Sequence, residues 1–246
     1  MTRSGRWRTG WPSCSRHGDT SGTGARSVIV RPTTPVRTVA VVIGFAYTAV
    51  LAVMGIRLDS LARIVVGVFP ILATAGLVVW DLWLWKAPLL KLLTHRPRID
   101  GLWKVTLTPA AGSHIPVGGN WGPIPAYVVI SQSYWSLHVR QMTAESASSS
   151  KAFFWDHTAG ADAETLSFLY QNGARPEHAK RSPRHLGTCS FDIARREPTE
   201  IEGRYFTDRY TQGGMELRLV DRSKGHASYQ DADTYVGNMQ SDQLTS

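Results

Sequence analysis

Polar and aromatic side chains interrupt several strand-like segments of the sequence, and their types suit ligand recognition better than catalysis. Aromatic faces can stack on a base, hydroxyl and amide groups can bond base edges, and an arginine can pair with a phosphate. Because neighbouring strand residues face opposite sides, a share of these side chains must point into solvent. The candidate ligand-binding residues are Gln132, Trp135, Tyr170, His185, Thr188, Tyr205, Thr207 and Arg209.

The segment from Gly203 to Gly214 predicts a strand that runs into a glycine turn. Arg209 lies beside Thr211 in this turn, and backbone amides together with a guanidinium can hold an anion. A plain hairpin turn has nearly the same composition, so the sequence leaves both interpretations open.

Sequence signatures of catalysis are missing. No G-x-S-x-G, H-E-x-x-H, Walker-type loop or paired Cys/His set occurs, so we expect neither an enzyme nor a bound metal or cofactor. A membrane-bound enzyme with an unrecognised site remains an alternative. The two cysteines, Cys14 and Cys189, lie in very different regions, which favours a reducing compartment without a disulfide.

The net charge of +8 is unevenly distributed along the chain. Residues 1–37 contain seven Arg and one Asp, whereas residues 98–221 contain thirteen basic and thirteen acidic residues. A neutral globular part disfavours binding to DNA or RNA, because such binding needs a basic surface.

Two apolar runs precede the neutral part. Residues 38–56 contain no charge over 19 positions, and residues 64–85 form a second run that ends in an aromatic belt before Lys86. These lengths predict two transmembrane helices, with Pro70 kinking the second. A signal peptide or a pair of buried soluble helices are the alternatives.

The charges that flank the runs predict their orientation. Basic residues are concentrated before residue 38 and after residue 85, and they outweigh those of the short segment 57–63. The positive-inside rule therefore predicts a two-pass membrane protein with both termini in the cytoplasm. Small residues in the runs permit close packing, either within the hairpin or between copies.

The region after Arg98 predicts an all-β domain, because short segments rich in β-branched and aromatic residues alternate with turn residues. Eight segments with short links predict an up-and-down β-barrel, and a β-sandwich is the alternative. The expected strands are 101–108, 127–133, 135–142, 151–157, 165–172, 185–193, 201–207 and 215–220.

The pair Gly101-x-Trp103 on the first expected strand resembles the lipocalin arrangement, in which a Trp closes the barrel floor beneath an Arg. Arg218 on the last strand is the matching candidate, since a cation–π contact would stabilise closure. A core Trp that contacts no arginine is the alternative. This resemblance also motivates a second functional hypothesis, a membrane-tethered carrier of a lipid or another hydrophobic ligand.

Four regions follow from these patterns. We expect a disordered basic tail over 1–37, the helical hairpin over 38–86, the cytoplasmic ligand-binding barrel over 98–221 and a disordered polar tail over 222–246. Both tails lack a periodic apolar face, which is the reason to expect disorder.

The order of the motifs along residues 37–221 resembles a known family, the two-transmembrane, β-strand-rich effectors of CBASS, which are bacterial anti-phage systems that signal through cyclic oligonucleotides. The motifs are Gly101-Leu-Trp103, Ile130-Ser-Gln132 with Trp135, Ser146 to Ser150, Leu169-Tyr170-Gln-Asn172, His185-Leu-Gly187-Thr188, Gly203-Arg-Tyr205, and Thr207-Asp-Arg209 with Gly213. The arginine-rich extension before residue 38 departs from the compact N-terminus expected of the family.

The resemblance implies a role that composition does not show. A partner nucleotidyltransferase (CD-NTase) would make a cyclic dinucleotide on infection, and the barrel would bind it as the activating ligand. The protein would then form homo-oligomers through its spans, disrupt the lipids of the inner membrane, and cause growth arrest or death of the infected cell.

Overall fold

The computed structural model describes residues 35–53, 59–92, 94, 96–115, 117–157, 163–178, 180 and 182–245. Two helices come first, α1 over Pro35–Val53 and α2 over Ser60–Leu82, followed by two short 3-10 turns over Leu84–Lys86 and Pro88–Leu92. The predicted basic tail falls mostly outside the described residues.

Helices α1 and α2 pack against each other. Tyr47 of α1 lies 5.9 Å from Phe69 of α2 between ring centroids, and a Cβ at Gly44 would lie 3.3 Å from the Cβ of Pro70. The helices overlap the two predicted spans, although residues 54–56 lie outside the described part of the chain. Within that part, no helix combines the length and the apolar character required to cross a bilayer.

Eight antiparallel strands form a closed barrel in which each strand pairs with its sequence neighbours and β8 pairs with β1. This confirms the predicted all-β class and the eight-stranded up-and-down barrel. The strands are β1 Gly101–Pro109, β2 Ile124–Gln132, β3 Leu137–Met142, β4 Ser146–Asp156, β5 Glu164–Ala174, β6 His185–Ile193, β7 Glu200–Thr207 and β8 Gln212–Asp221.

Alternation of side chains produces the barrel interior. In β1, Trp103, Val105 and Leu107 are buried while Lys104 and Thr106 are exposed, so every second residue faces inward. The same alternation brings Val128 and Ile130 of β2, Phe168 of β5, Phe191 of β6 and Leu217 of β8 into one apolar cluster. Most of the barrel is therefore filled by side chains.

Trp103 lies at one end of the barrel, the closed end, and bonds the backbone there. Its indole Nε1 donates to the carbonyl of Ile99 at 2.9 Å, and the side chain is fully buried. Of the two alternatives that the sequence left open, the contact with Arg218 does not form, because Arg218 faces solvent on β8 and its Nε lies 3.6 Å from Glu200. Arg218 pairs in register with the outward-facing Lys104 and not with Trp103, which places it on the opposite face of the sheet.

A buried carboxylate joins three segments at this closed end. Asp100, just before β1, is 2% exposed and accepts hydrogen bonds from Lys86 at 2.9 Å, Arg98 at 2.8 Å and Lys224 at 2.9 Å. Arg222 donates to the Asp100 carbonyl at 2.7 Å. Although burial by itself would raise the pKa of the Asp100 carboxyl, the hydrogen bonds from these cations hold that pKa far below its usual value.

The β2–β3 turn contacts the end of α2 beside this cluster. The Asp81 carbonyl accepts from the Tyr134 amide and the Asp81 carboxylate from the Trp135 amide, both at 3.0 Å. The Tyr134 ring also makes edge contacts with Trp80 and Trp85, with centroids 5.7 and 5.9 Å apart. The closed end of the barrel is thus fixed to the helical hairpin.

The expected disorder of residues 222–246 is wrong for most of that segment. Helix α3, Tyr229–Thr245, packs on the outer wall of the barrel, where Ala232 and Val236 bury against an outward-facing apolar patch. Ser228 caps the start of the helix, where its Oγ accepts from the Asp231 amide at 3.2 Å, and the Asp231 carboxylate accepts from the Ala227 amide at 2.8 Å. The helix has only a narrow apolar strip, so its order depends on a tertiary partner. The outward-facing patch of the barrel that α3 covers consists of Leu102, Tyr127, Val129 and Met142.

Candidate ligand-binding site

A cavity of about 440 Å³ lies at the end of the barrel away from α2, among the β1–β2, β3–β4, β5–β6 and β7–β8 connections. Small-molecule sites typically enclose about 300–1,000 Å³, so the volume suits a small ligand. Of the predicted ligand-binding residues, the cavity brings together Tyr170, His185, Tyr205, Thr207 and Arg209.

Two tyrosine rings form part of the cavity wall because glycines on neighbouring strands leave room for them. Gly187 of β6 pairs with Tyr170 of β5, and a Cβ at Gly187 would collide with the Tyr170 ring. Gly213 of β8 pairs with Tyr205 of β7, where a Cβ would lie 2.7 Å from the Tyr205 hydroxyl oxygen. The sequence therefore positions both rings through residues that have no side chain.

The two tyrosine hydroxyls are available to a ligand. Neither makes a hydrogen bond to another described residue, yet no fully buried side-chain nitrogen or oxygen in the described chain lacks a partner, so both hydroxyls reach the cavity space. Burial raises the pKa of Tyr170 and of Tyr205, which keeps both groups protonated and neutral. They are therefore uncharged donors and acceptors.

A buried polar pair lies beside Tyr170. Asn172 faces the same side of β5 as Tyr170, and Ser148 lies directly opposite on β4. The Ser148 hydroxyl donates to Asn172 Oδ1 at 2.9 Å, and the two residues are 9% and 5% exposed. Both line the cavity, together with Gln141 of β3.

The β7–β8 turn supplies a guanidinium to the cavity, but its backbone amides are occupied. Thr207 Oγ1 accepts from the amides of Arg209 at 3.3 Å and Thr211 at 3.1 Å, and Gln212 N donates to Ser113 Oγ at 3.0 Å. Of the two interpretations that the sequence left open, the structure therefore does not support an anion site that uses these amides. Arg209 itself donates to Ser182 Oγ at 3.1 Å and remains on the cavity wall.

His185 is part of the same wall. Its Nδ1 lies 3.0 Å from the Pro183 carbonyl, which can only accept, so Nδ1 carries the proton. In the neutral ring, Nε2 then carries the lone pair. In that form, His185 can accept a hydrogen bond through Nε2.

Three of the predicted residues lie elsewhere. Gln132 is buried at the closed end, where its side chain accepts from the Ile99 amide at 2.9 Å and donates to the Pro97 carbonyl at 2.8 Å. Trp135 lies in the β2–β3 turn against α2, and Thr188 faces outward from β6. The prediction that these three share a pocket with Tyr170 is wrong, because strand direction and alternation separate them.

Several cavity residues were not identified from the sequence, namely Gln141, Thr143, Ser146, Ser148 and Asn172. The signal for Asn172 is present, because it lies two positions after Tyr170 on the same strand and must share its face. Ser148 carries no comparable signal, since only pairing with β5 places the serine-rich segment in a strand.

The fold and the site define a class of protein, a closed β-barrel with a pocket for a small ligand at one end, lined by both polar and apolar side chains. Residues 94–219, just over half of the chain, match the family model described as Cap15, cyclic dinucleotide receptor domain. The chain therefore belongs to this family of cyclic dinucleotide receptor domains. No curated protein matches the chain as a relative.

Proposed function

We propose that the cavity binds a cyclic dinucleotide and that binding, without catalysis, activates the protein as an effector of a CBASS system. The observation that carries the proposal is the set of polar groups that line one cavity in a receptor domain of this family, including two tyrosine hydroxyls without a partner in the described chain. Tyr170 and Tyr205 offer faces for base stacking, and Arg209 offers a charge for a phosphate. Thr207 and His185 also line the cavity, and we propose that they contact the ligand as well.

Calorimetric titration of the full chain in detergent tests this proposal. Cyclic dinucleotides with different bases and linkages should include at least one that binds, and Arg209→Gln should weaken its binding about tenfold or more through loss of a charged hydrogen bond. Arg204→Gln is the matched control, because Arg204 faces solvent on β7. Silence across the panel would refute the proposal.

Recovery of the bound ligand tests the absence of catalysis. After prolonged incubation with the full chain, chromatography should return the cyclic dinucleotide intact. Among the described residues, no three His, Cys, Asp or Glu side chains form a group that could hold a metal ion. The Cys189 thiol is buried beside Met215, and burial raises its pKa, so it is a poor nucleophile. Linear products would overturn this part of the proposal.

We further propose that α1 and α2 anchor the protein in the bacterial inner membrane, with both termini in the cytoplasm. Large apolar side chains on both helices point away from the rest of the protein, including Ile43, Phe45, Ile71 and Leu72, each more than 60% exposed. Contact with water is unfavourable for an apolar surface of this size, and a lipid bilayer would provide a nonpolar environment for it. Retention in the membrane fraction after alkaline carbonate washing is the expected result, and release into the supernatant would contradict it.

Ligand-driven assembly of the helices is the proposed effector step. Binding should convert the chain to homo-oligomers and permeabilise the membrane, which leads to growth arrest of infected cells. Dye release from vesicles that contain the full chain should depend on the cyclic dinucleotide and be absent for Arg209→Gln. Ligand binding without release or a change in oligomeric state would separate recognition from this step and refute it.

The alternative of a lipid carrier receives less support. Below the cavity, the described interior is filled by side chains such as Trp103, Phe168 and Phe191, which leaves little room for an acyl chain. Extraction of the purified protein with organic solvent followed by mass spectrometry would detect a bound lipid.

A further inference from the structure

Asn172 presents a nearly buried hydrogen-bond donor to the cavity. The Ser148 hydroxyl occupies Oδ1 of the amide at 2.9 Å, which directs Nδ2 to the other side. Among the described residues, Nδ2 has no hydrogen-bond partner, although the residue is only 5% exposed. A nearly buried amide is normally bonded within the protein, so a donor that the described chain leaves without a partner is available to a ligand.

A second donor lies beside it. Tyr170, two residues earlier on the same face of β5, places its neutral hydroxyl in the same cavity and also has no partner within the described chain. Gly187 leaves room for its ring, and the Ser148 hydroxyl bonds the amide oxygen of Asn172. Both donors are therefore held in place before a ligand binds, which reduces the ordering cost of binding.

The pair suits a carbonyl oxygen. Both groups are uncharged, whereas the guanidinium on this cavity wall belongs to Arg209, on the β7–β8 turn. A carbonyl oxygen accepts two hydrogen bonds through its two lone pairs, whereas a ring nitrogen of adenine accepts one, and its amino group is itself a donor.

We propose that Asn172, oriented by Ser148 and assisted by Tyr170, binds a base carbonyl of the ligand and makes this site select a keto base, uracil or guanine, over adenine. This inference rests on the proposed function, because it assigns base selection within the same cavity. The other base and the phosphates lie toward Arg209 in this arrangement.

Competition between ligands of equal charge tests the inference. The full chain is titrated in detergent with cyclic di-UMP, cyclic di-GMP and cyclic di-AMP of the same linkage. We expect the better keto ligand to bind about tenfold or more tightly than cyclic di-AMP, because a carbonyl oxygen can accept from both donors, whereas a ring nitrogen of adenine accepts from only one. Equal affinities, or a preference for cyclic di-AMP, would overturn it.

Three variants separate selection from general affinity. Asn172→Ala should reduce the keto preference toward unity, and Asn172→Asp, which replaces the donor by an acceptor, should shift it toward cyclic di-AMP. Ser148→Ala leaves the amide free to turn and should reduce the preference without removing it. The readout is the affinity ratio, so the added charge of the aspartate, which weakens all three ligands, does not obscure the result.

Two controls make failure unambiguous. Arg209→Gln should weaken the binding of all three ligands by a similar factor and leave the affinity ratio unchanged. Gln171→Ala, which lies on the outer face of β5, should change neither the affinities nor their ratio. Thermal unfolding verifies that each variant folds. If the unmodified protein binds no member of a broader panel, the proposed function fails and the inference fails with it. Selective binding that persists in Asn172→Ala overturns the inference alone.

Discussion

The two ends of the barrel differ in whether their polar side chains have hydrogen-bond partners within the protein. At the closed end, Asp100 accepts three charged hydrogen bonds and Gln132 uses both ends of its amide. At the open end, the Tyr170 and Tyr205 hydroxyls and the Asn172 amide nitrogen have no partner in the described chain and border a cavity. The polar groups at the closed end therefore bond within the protein and stabilise it, whereas those at the open end are available to a ligand.

The largest expected effect lies at the closed end. Asp100→Asn removes the charge that four cationic side chains surround, and breaking a buried ion pair on one side typically costs about 3–5 kcal/mol of unfolding free energy. Denaturant unfolding monitored by tryptophan fluorescence should show this loss. Arg209→Gln at the open end should change stability by less than about 1 kcal/mol, and equal losses would remove the contrast between the ends.

The low pKa of Asp100 also predicts how the free energy of unfolding depends on pH. The folded pKa of Asp100 is far below the unfolded value of about 3.9, so its stabilisation is fully present above that value and is lost as the pH falls through the folded pKa. The stability difference between the unmodified protein and Asp100→Asn should stay constant from about pH 8 to 5 and shrink below about pH 4. A difference that already disappears near pH 6 would contradict this assignment.

An intermediate effect is expected where the open end is tightly packed. Gly187→Ala places a methyl group against the Tyr170 ring, and overpacking of this kind costs about 1–3 kcal/mol. It should also weaken ligand binding, because the ring must move. Gly214→Ala is the control, since no heavy atom lies within 4 Å of its Cβ position, and thermal unfolding of both variants measures the difference.

The smallest effects on stability are expected from removing the hydroxyl group of either of two tyrosines. Tyr127 on the outer wall donates to Asp233 of α3 at 2.9 Å, so Tyr127→Phe should lose about 1 kcal/mol of stability. Tyr170→Phe removes a hydroxyl that has no partner in the described chain and should leave stability nearly unchanged while it weakens ligand binding. Denaturant midpoints and calorimetric titration of both variants check the pair, and a large stability loss for Tyr170→Phe would reveal a structural role instead.

Most of the barrel was predictable because its strands carry strong local signals. The predicted strand 185–193 coincides with β6, where apolar and polar residues alternate regularly. The start of β4 was missed, because the serines from Ser146 to Ser150 have low strand propensity and are held by pairing with β5. The order of α3 was also missed, since its narrow apolar strip becomes meaningful only against the outer patch.

The candidate site was only half predictable. Five of the eight expected residues meet at the cavity, and the other three are separated from it by strand direction or face. Gln132 and Tyr205 have similar local contexts, polar or aromatic residues near a strand end, but their strands end at opposite ends of the barrel. Only the closed topology distinguishes them.

The sequence alone determined the all-β class, the number of strands and the residue types available for binding, because alternation and turn chemistry are local properties. The tertiary structure decided which of those residues converge, which backbone amides are already occupied and which polar groups have no partner. These are properties of pairs of residues far apart in the chain, such as Ser148 with Asn172, and only strand register defines them.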